Sequence, residues 1–427
     1  MGGVKCFNLK QGLNLYYIPE NKFKTTYVSI NIHNELKEEN ASKCALLSDV
    51  MRRGTRKFPD ETAISSYLQG LYGASVYTDI KRKGIDQILS FSATAVDDAY
   101  LPEGEACFDK VLEFLFDMVL DPYVPNGAFC ESYVNQEKVN LINDINALVN
   151  EKRAYSLWRL IENMCDGDPY SVHELGSVKR AEEVTAISLY EFYKTLLKKG
   201  PVDIFVMGNT DISKVCAYAQ ERFSGYEFEN YSYPVPELYD KNLGGKEITE
   251  RFDVTQAKLC LGYKTNISPT SKDYYKLMVY NGILGGGAHS KLFNEVREKL
   301  SLAYYAGSRL ERYKGLLVIS AGIEMSNKQK TLDEIFAQVD LMKQGSFSKI
   351  EFDSAVLSIV NSLKTLGDSI AYLCDYYLGQ TITGTQVTLE EFIEEIEKVT
   401  PEDVKDVAKN VSLETVYFLT GKEEEGK

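Results

Sequence analysis

The sequence predicts an α+β protein made of two homologous α/β-sandwich domains, each an antiparallel sheet with helices packed on it. Three observations predict this fold: alternating strand patterns, amphipathic helix patterns, and the repetition of their order at half the chain length. Each half opens with two strand-like segments, LNLYYIP and TTYVSINIHN in the first half, KEITERFDV and AKLCLGYKTN in the second. Each pair leads into a helix that ends in a glycine turn. This repetition indicates a duplicated unit of roughly 200 residues.

The later segments also occur in matching pairs. Amphipathic helix patterns at 107–121 and 331–345 occupy the same place in the two halves. Long helical runs follow at 136–164 and 349–379. Each half then closes with a helix and a strand, which supports the duplication.

A change of composition separates the two halves. Residues 226–246 are rich in Tyr, Pro, Gly and charge, and they show no periodicity, as is typical of a domain connector. We therefore predict an N-terminal domain at 1–230, a linker at 231–246 and a C-terminal domain at 247–427.

Charge and hydropathy limit the classes of partner. The 427-residue chain has a formal net charge of −14, which argues against nucleic acid or an anionic membrane as the main partner. It contains no apolar run of about 18 residues, and its first residues lack a secretion signal. None of the eight cysteines forms a CxxC pair, as expected of reduced thiols. We expect a soluble, cytoplasmic protein, for which a peptide ligand remains possible.

The segment CALLSDVMRRGT, residues 44–55, has the pattern of a core helix. Apolar residues recur on one side, Ala45 and Asp49 share a face, and Ser48 lies beside them. Gly54 suits the position that follows the end of a helix. From these residues alone, the segment is an amphipathic core helix.

A second segment, GILGGGAHSKLFNEVREKLSLAYY, joins a glycine-rich turn to a helix. Gly285, Gly286 and Gly287 predict a flexible turn, and Ser290 is a plausible N-cap. From these residues alone, we interpret Arg297 as a surface residue paired with a carboxylate and Tyr304 as a side chain of the hydrophobic core.

Both segments resemble motifs of the pitrilysin/insulinase family of zinc peptidases, the inverted HxxEH group. The resemblance covers essentially the whole chain. In that family the first helix carries two zinc-binding histidines and a glutamate base before a Gly-Thr turn. Alignment on that turn puts Ala45 and Asp49 at the histidines and Ser48 at the glutamate. The segment EKVNLINDI matches the later helix that carries the third ligand, with Asp144 at the ligand position.

This degenerate motif implies that the chain itself holds no catalytic zinc. Two aspartates without imidazoles make an oxygen-only site that does not select zinc. The whole chain has three histidines, His33, His173 and His289, and none has a second histidine at metal-binding spacing. We expect no metal or other cofactor in this chain.

The second segment matches the family's C-terminal signature through LGGGAHSKLF, VREK and LAY. The resemblance implies that Tyr304 donates a hydrogen bond to the scissile carbonyl or its oxyanion, and that Arg297 holds substrate oxygens. Tyr305 is the alternative to Tyr304, one residue away. Gly285, Gly286 and Gly287 would line the peptide channel.

The resemblance implies the catalytically silent subunit of a bacterial heterodimeric zinc peptidase. Its two halves would enclose a peptide in a clam-like chamber, and an HxxEH homologue would carry the zinc. The peptide would add a strand to a sheet edge. An inactive scaffold and a peptide-binding maturation factor remain as alternatives. An active homodimer is disfavoured because both of its sites would lack ligands.

Overall fold

The computed structural model describes residues 3–228, 233 and 237–422 of the chain. Residues 231, 232 and 234–236 of the predicted linker lie outside the described residues. The chain divides into two compact units, neither of which is continuous in sequence. The first unit comprises Met1–Asn146, Val172–Pro234 and Ser369–Gln386, and the second comprises Ala147–Ser171, Val235–Asp368 and Val387–Lys427.

The described residues form strands and helices in the following order. The strands are β1 Lys5–Lys10, β2 Leu13–Ile18, β3 Thr25–Glu35, β4 Ser75–Lys83, β5 Asp86–Val96, β6 Val202–Met207, β7 Lys246–Phe252, β8 Ala257–Lys264, β9 Ala303–Glu311, β10 Leu316–Ile323 and β11 Ser412–Gly421. The α-helices are α1 Glu38–Arg52, α2 Glu61–Gln69, α3 Phe108–Leu120, α4 Glu131–Ala147, α5 Lys152–Met164, α6 Val178–Glu182, α7 Ala186–Lys199, α8 Ile212–Arg222, α9 Asp273–Gly285, α10 Lys328–Gln344, α11 Lys349–Leu366, α12 Ile370–Thr383, α13 Leu389–Glu397 and α14 Pro401–Ala408. A π-helix spans Leu292–Lys299.

The first unit contains a six-stranded sheet in the order β1-β2-β6-β3-β5-β4. Its long central strands β3 and β5 pair antiparallel from Thr25↔Val96 to Glu35↔Asp86, and β2 pairs parallel with β6. The helix α3 is apolar on most of its surface and packs against β5. The buried side chains of α3, together with those of α1 and α7, belong to the hydrophobic core of this unit.

The second unit contains a five-stranded sheet in the order β7-β11-β8-β10-β9. The strand β8 pairs antiparallel with both β10 and β11, and β11 pairs parallel with β7. The helices α9, α11 and α14 pack together, and α9 also contacts β9. Two sheets that each carry their own helices confirm the predicted α+β fold class, but each sheet is mixed and contains one parallel pair, where an antiparallel sheet was predicted.

The two long helical runs are each broken into two helices that belong to different units. Residues 148–151 separate α4 from α5, and α5 falls in the second unit. Residues 367–369 separate α11 from α12, and α12 falls in the first unit. The breaks have local causes, because Glu151 and Ser369 accept hydrogen bonds from backbone N–H groups of the following helix. A new helix therefore begins after each break.

The sheet of the second unit lets α5 approach closely. A Cβ atom at Gly262 on β8 would lie 2.6 Å from the sulfur of Met164 and 3.6 Å from a methyl carbon of Leu160. Glycine at this position therefore permits the helix to pack directly on the strand. Among the described residues, no helix is both long and apolar enough to cross a membrane.

Candidate functional site

The helix α1 carries the positions at which the related peptidases have their metal ligands. Glutamates in its first turn and Arg52 in its last turn complement the helix dipole. Ala45 and Ser48 are buried, with 2% and 4% of their surface exposed, and Asp49 is partly exposed. The methyl group of Ala45 offers no metal ligand.

The glycine turn after α1 is held by backbone contacts of its own. The N–H of Thr55 donates to the carbonyl of Phe58 at 2.7 Å, and the N–H of Phe58 donates to Thr55 Oγ1 at 3.0 Å. A Cβ atom at Gly54 would lie 2.5 Å from the carbonyl oxygen of Pro59. This turn therefore needs glycine for a close approach between backbone segments. The helix and the turn of the motif are thus both present, although the metal ligands are not.

Asp49 faces a group of carboxylates. Its pKa is raised to about 6, mainly by burial and also by Glu137, Asp144 and Asp79, while Arg52 acts in the opposite direction. Asp144 is exposed on α4, and Glu137 on the same helix is buried. Asp49 and Asp144 therefore interact electrostatically, and their assignment to the positions of former metal ligands stays a prediction.

The residues of this region do not fit a zinc ion. Glu137 accepts from Arg53 at 2.9 Å and from Asn140 at 2.8 Å, so its oxygens are engaged within the protein. Structural and catalytic zinc sites use three or four Cys, His or carboxylate ligands. Within the described ranges, no three His, Cys, Asp or Glu side chains form a group that could hold a metal ion.

Arg297 lies on the π-helix of the second unit. This helix buries Leu292 and Val296, and the hydroxyl of Ser290 accepts from the N–H of Phe293 at its start. The guanidinium of Arg297 lies 4.6 Å from the ring centre of Phe293, and its Nε is 3.5 Å from a carboxylate oxygen of Glu298. The side chain of Arg297 is 42% exposed, which leaves its planar donor group accessible.

Tyr304 and Tyr305 are neighbours on the strand β9, and they are distinguished by the face of the strand to which each side chain points. Successive side chains of a strand point to opposite faces. Tyr304 is 51% exposed, and its hydroxyl donates to Glu324, which raises the pKa of the phenol. The ring of Tyr305 instead covers Gly322 and lies 4.3 Å from the guanidinium carbon of Arg153.

The three glycines differ in their surroundings. A Cβ atom at Gly285 would lie 2.4 Å from the backbone nitrogen of Ser308 on β9, so this glycine lets α9 approach the strand. A Cβ atom at Gly286 would lie 2.8 Å from Gly282 Cα, within the helix end. Gly287 meets only the ring of His289, at 3.1 Å. The first two glycines therefore serve packing, and a role in substrate binding stays a prediction for all three.

A buried charged cluster in the first unit was not predicted from the sequence. His33 has no exposed surface; its Nδ1 lies 2.8 Å from Asp86 and its Nε2 lies 3.2 Å from Asp203. The hydroxyl of Tyr233 donates to Asp203 at 2.7 Å. Burial alone would lower the pKa of His33, but the two carboxylates outweigh it and raise the pKa to about 10. In the sequence, His33 is judged only for metal-binding spacing, which gives no sign of these two carboxylate partners.

Comparison with known proteins gives a consistent result. The chain is 35% identical over 418 residues to the "Probable inactive metalloprotease YmfF" of Bacillus subtilis (strain 168), and the alignment covers 96% of both chains. Residues 183–358 match the family described as "Peptidase M16 inactive domain".

Solved structures show the same fold. A conserved protein from Enterococcus faecalis V583 is 28% identical, with a TM-score of 0.92 and full coverage of both chains. A peptidase M16 inactive domain from Pseudomonas fluorescens is 18% identical, with a TM-score of 0.77 over 99% of this chain and 100% of that one.

The fold and the degenerate metal motif together define a protein of a zinc-peptidase fold that lacks the metal-binding residues of the motif. The chain belongs to the peptidase M16 family. This result confirms the resemblance to the pitrilysin/insulinase-type zinc peptidases.

Proposed function

We propose that this protein is the catalytically silent subunit of a two-subunit zinc metallopeptidase. It would bind peptide substrate and supply Arg297 and Tyr304 to the zinc site of an HxxEH partner, within the cytoplasm. One contrast carries the proposal. The helix α1 keeps its fold with Ala45, Ser48 and Asp49 at the metal positions, whereas Arg297 and Tyr304 are both retained and both exposed.

The chemistry of the two side chains suits this role. A phenol hydroxyl that donates to the scissile carbonyl stabilises the negative charge that develops on its oxygen. The planar guanidinium of Arg297 presents several N–H donors to carbonyl or carboxylate oxygens. Glu324 now accepts the hydrogen bond of Tyr304, so a substrate carbonyl would have to replace this carboxylate.

The docking edge for the peptide would be an end strand of the sheet in the first unit. The strand β4 is the last strand of its sheet and contacts α1. An extended peptide can pair with such an edge through main-chain hydrogen bonds. The carboxylates of Asp79 and Asp144 share this region with Asp49, since each of the two raises the pKa of Asp49. We therefore expect peptides with basic residues to bind better than acidic ones.

Reconstitution with a partner tests the proposal. This protein would be co-expressed with an HxxEH homologue encoded beside its gene, and each subunit and the purified pair would be assayed on a quenched fluorescent peptide library with and without zinc. We expect activity from the pair with zinc and none from this protein alone. Full activity from the partner alone would contradict the proposal.

An inactive scaffold or a maturation factor is the second candidate function. One observation favours the scaffold, because Tyr304 and Arg297 already have partners within the chain, in Glu324 and in Phe293 and Glu298. Under this alternative, Arg297→Ala and Tyr304→Phe leave any activity of the pair unchanged. Tight peptide binding by the isolated chain, with no gain of activity in the pair, would indicate a maturation factor.

A further inference from the structure

A cleft in the first unit is lined by tyrosines and lysines that the proposed function does not use. It has a volume of about 500 Å³, within the usual size range of ligand sites. It lies between α7 and the segment that follows α3, with Tyr226 at one side. We call it the tyrosine cleft after four of its lining residues, Tyr123, Tyr190, Tyr193 and Tyr226.

The wall formed by α7 is rigid. The hydroxyl of the buried Tyr193 donates to the carbonyl of Val119 at 2.9 Å. The ring of Tyr190 stacks on that of Tyr193 with a centroid distance of 5.9 Å and an interplanar angle of 21°. Phe129 contacts both rings edge-on, at 5.6 and 5.8 Å. The aromatic surface is therefore formed before any ligand binds, which lowers the entropic cost of binding.

The charge of the lining is positive, although the chain as a whole carries −14. Arg56, Lys194 and Lys198 line the cleft together with a single carboxylate, Asp121. Asp121 is already paired with Arg56 at 3.1 Å and with Arg222 at 3.3 Å. Lys198 has no ion pair among the residues that the structure describes. Lys194 pairs with the exposed Glu191 at 2.6 Å, and because solvent weakens such surface pairs, the cleft still offers cations to an acidic ligand.

Two prolines complete the surface. Pro122 and Pro125 border the cleft beside Tyr123. Flat aromatic and proline surfaces bind extended polyproline II segments, whose conformation is largely fixed before binding. Lys194 and Lys198, which both line the cleft, are four residues apart on α7, so they lie on one face of this helix, one turn from each other.

We propose that the tyrosine cleft binds an acidic, proline-containing peptide segment of a partner protein in the polyproline II conformation. The tyrosine rings hold the proline rings of the ligand, and Arg56, Lys194 and Lys198 bind its carboxylates. The cleft shares no residue with the positions around Asp49, Arg297 or Tyr304. The proposal is therefore independent of the proposed peptidase role.

Fluorescence polarisation with labelled hexapeptides tests this proposal on the full chain. The probe is (Glu-Pro-Pro)2, which spans about 19 Å in polyproline II. The comparison peptides are (Lys-Pro-Pro)2, which reverses the charge, and (Glu-Gly-Gly)2, which removes the fixed conformation. We expect the probe to bind at least tenfold more tightly than either, with an affinity that falls as salt is raised.

Variants connect binding with this cleft. Lys198→Glu and Tyr190→Ala should each weaken binding of the probe at least fivefold. The matched controls are Lys199→Glu, the next residue on α7, and Tyr100→Ala, an exposed tyrosine of the same unit outside the cleft. Circular dichroism would show that the variants are folded. Equal binding of all three peptides, equal effects of cleft and control variants, or tighter binding of a dT6 oligonucleotide than of the probe would each overturn the proposal.

Discussion

At the residue scale, the degenerate metal position has a measurable electrostatic consequence. At the position where the related peptidases have a histidine, Asp49 places a carboxylate close to other carboxylates. Its pKa of about 6 lies above the ordinary value of 3.8, so the folded state holds its proton to a higher pH than the unfolded chain. Ionised Asp49 therefore destabilises the fold, increasingly from about pH 3.8 to about pH 6 and fully above it.

Asp49→Asn should stabilise the protein at neutral pH. The full shift corresponds to about 3 kcal/mol, but solvent screens a partly exposed group, and we expect a gain of about 1 kcal/mol in the free energy of unfolding at pH 7.5. The gain should shrink towards pH 4, where Asp49 is protonated. Urea denaturation at the two pH values measures it, with the exposed Asp240→Asn as control, because Asp240 is not among the groups that shift the pKa of Asp49. A loss of stability at pH 7.5 would contradict this account.

The charged cluster of His33 gives a second prediction at this scale. Asp203→Asn removes one of its two carboxylates and weakens the acceptor of Tyr233. Breaking a buried ion pair typically costs about 3–5 kcal/mol, and we expect a destabilisation of at least about 3 kcal/mol. Chemical denaturation at pH 7 measures it, with the exposed Asp211→Asn, an N-cap of α8, as a milder control. A smaller loss of stability for Asp203→Asn than for Asp211→Asn would show that the ion pairs of this cluster do not stabilise the fold.

The sequence could not have predicted this cluster. Asp86 and Asp203 are 53 and 170 residues from His33, and only the register of three neighbouring strands brings them together. The empty ligand positions at Ala45, Ser48 and Asp49, in contrast, follow from a short motif in one helix. Local motifs are visible in a sequence, whereas cross-strand neighbours depend on the tertiary fold.

At the element scale, the helices were easier to predict than the strands. The patterns at 107–121 and 331–345 correspond to α3 and α10, since a long amphipathic period is distinctive. No strand was predicted over β1, β4, β5, β9 or β10. The strands β4 and β9 lie at the end of a sheet and are largely half-exposed, so their alternation between apolar and polar residues is weak. The strands β5 and β10 are largely buried, so they also lack a regular alternation between apolar and polar residues.

The turn after α1 gives the prediction at this scale. Gly54→Ala places a Cβ atom 2.5 Å from the carbonyl of Pro59, and we expect a loss of about 1–3 kcal/mol in the free energy of unfolding. Gly225→Ala is the matched control, because a Cβ atom there meets nothing within 4 Å. Thermal and urea denaturation compare the two variants. If Gly54→Ala leaves the free energy of unfolding unchanged, backbone packing is not the reason for a glycine in this turn.

At the scale of the whole molecule, the duplication was visible in the sequence, but the assignment of helices to units was not. The sequence places α5 in the first half and α12 in the second, whereas each belongs to the other compact unit. Periodicity shows which face of a helix is apolar, and it does not show which sheet that face covers. Side-chain fits such as Met164 over Gly262 decide this, and they involve residues about a hundred positions apart.

The central claim is that this chain contributes to catalysis in a pair, and Tyr304→Phe tests it most directly. The substitution removes one hydroxyl and keeps the ring, and Tyr100→Phe is the control on an exposed tyrosine of the first unit. The measurement is kcat/KM of the purified pair on a peptide substrate, with complex formation checked by size-exclusion chromatography. We predict that Tyr304→Phe lowers kcat/KM by about 10²-fold with the complex intact, as removal of an oxyanion donor does, and that Tyr100→Phe has no effect. An intact complex with unchanged kcat/KM for Tyr304→Phe would contradict the claim.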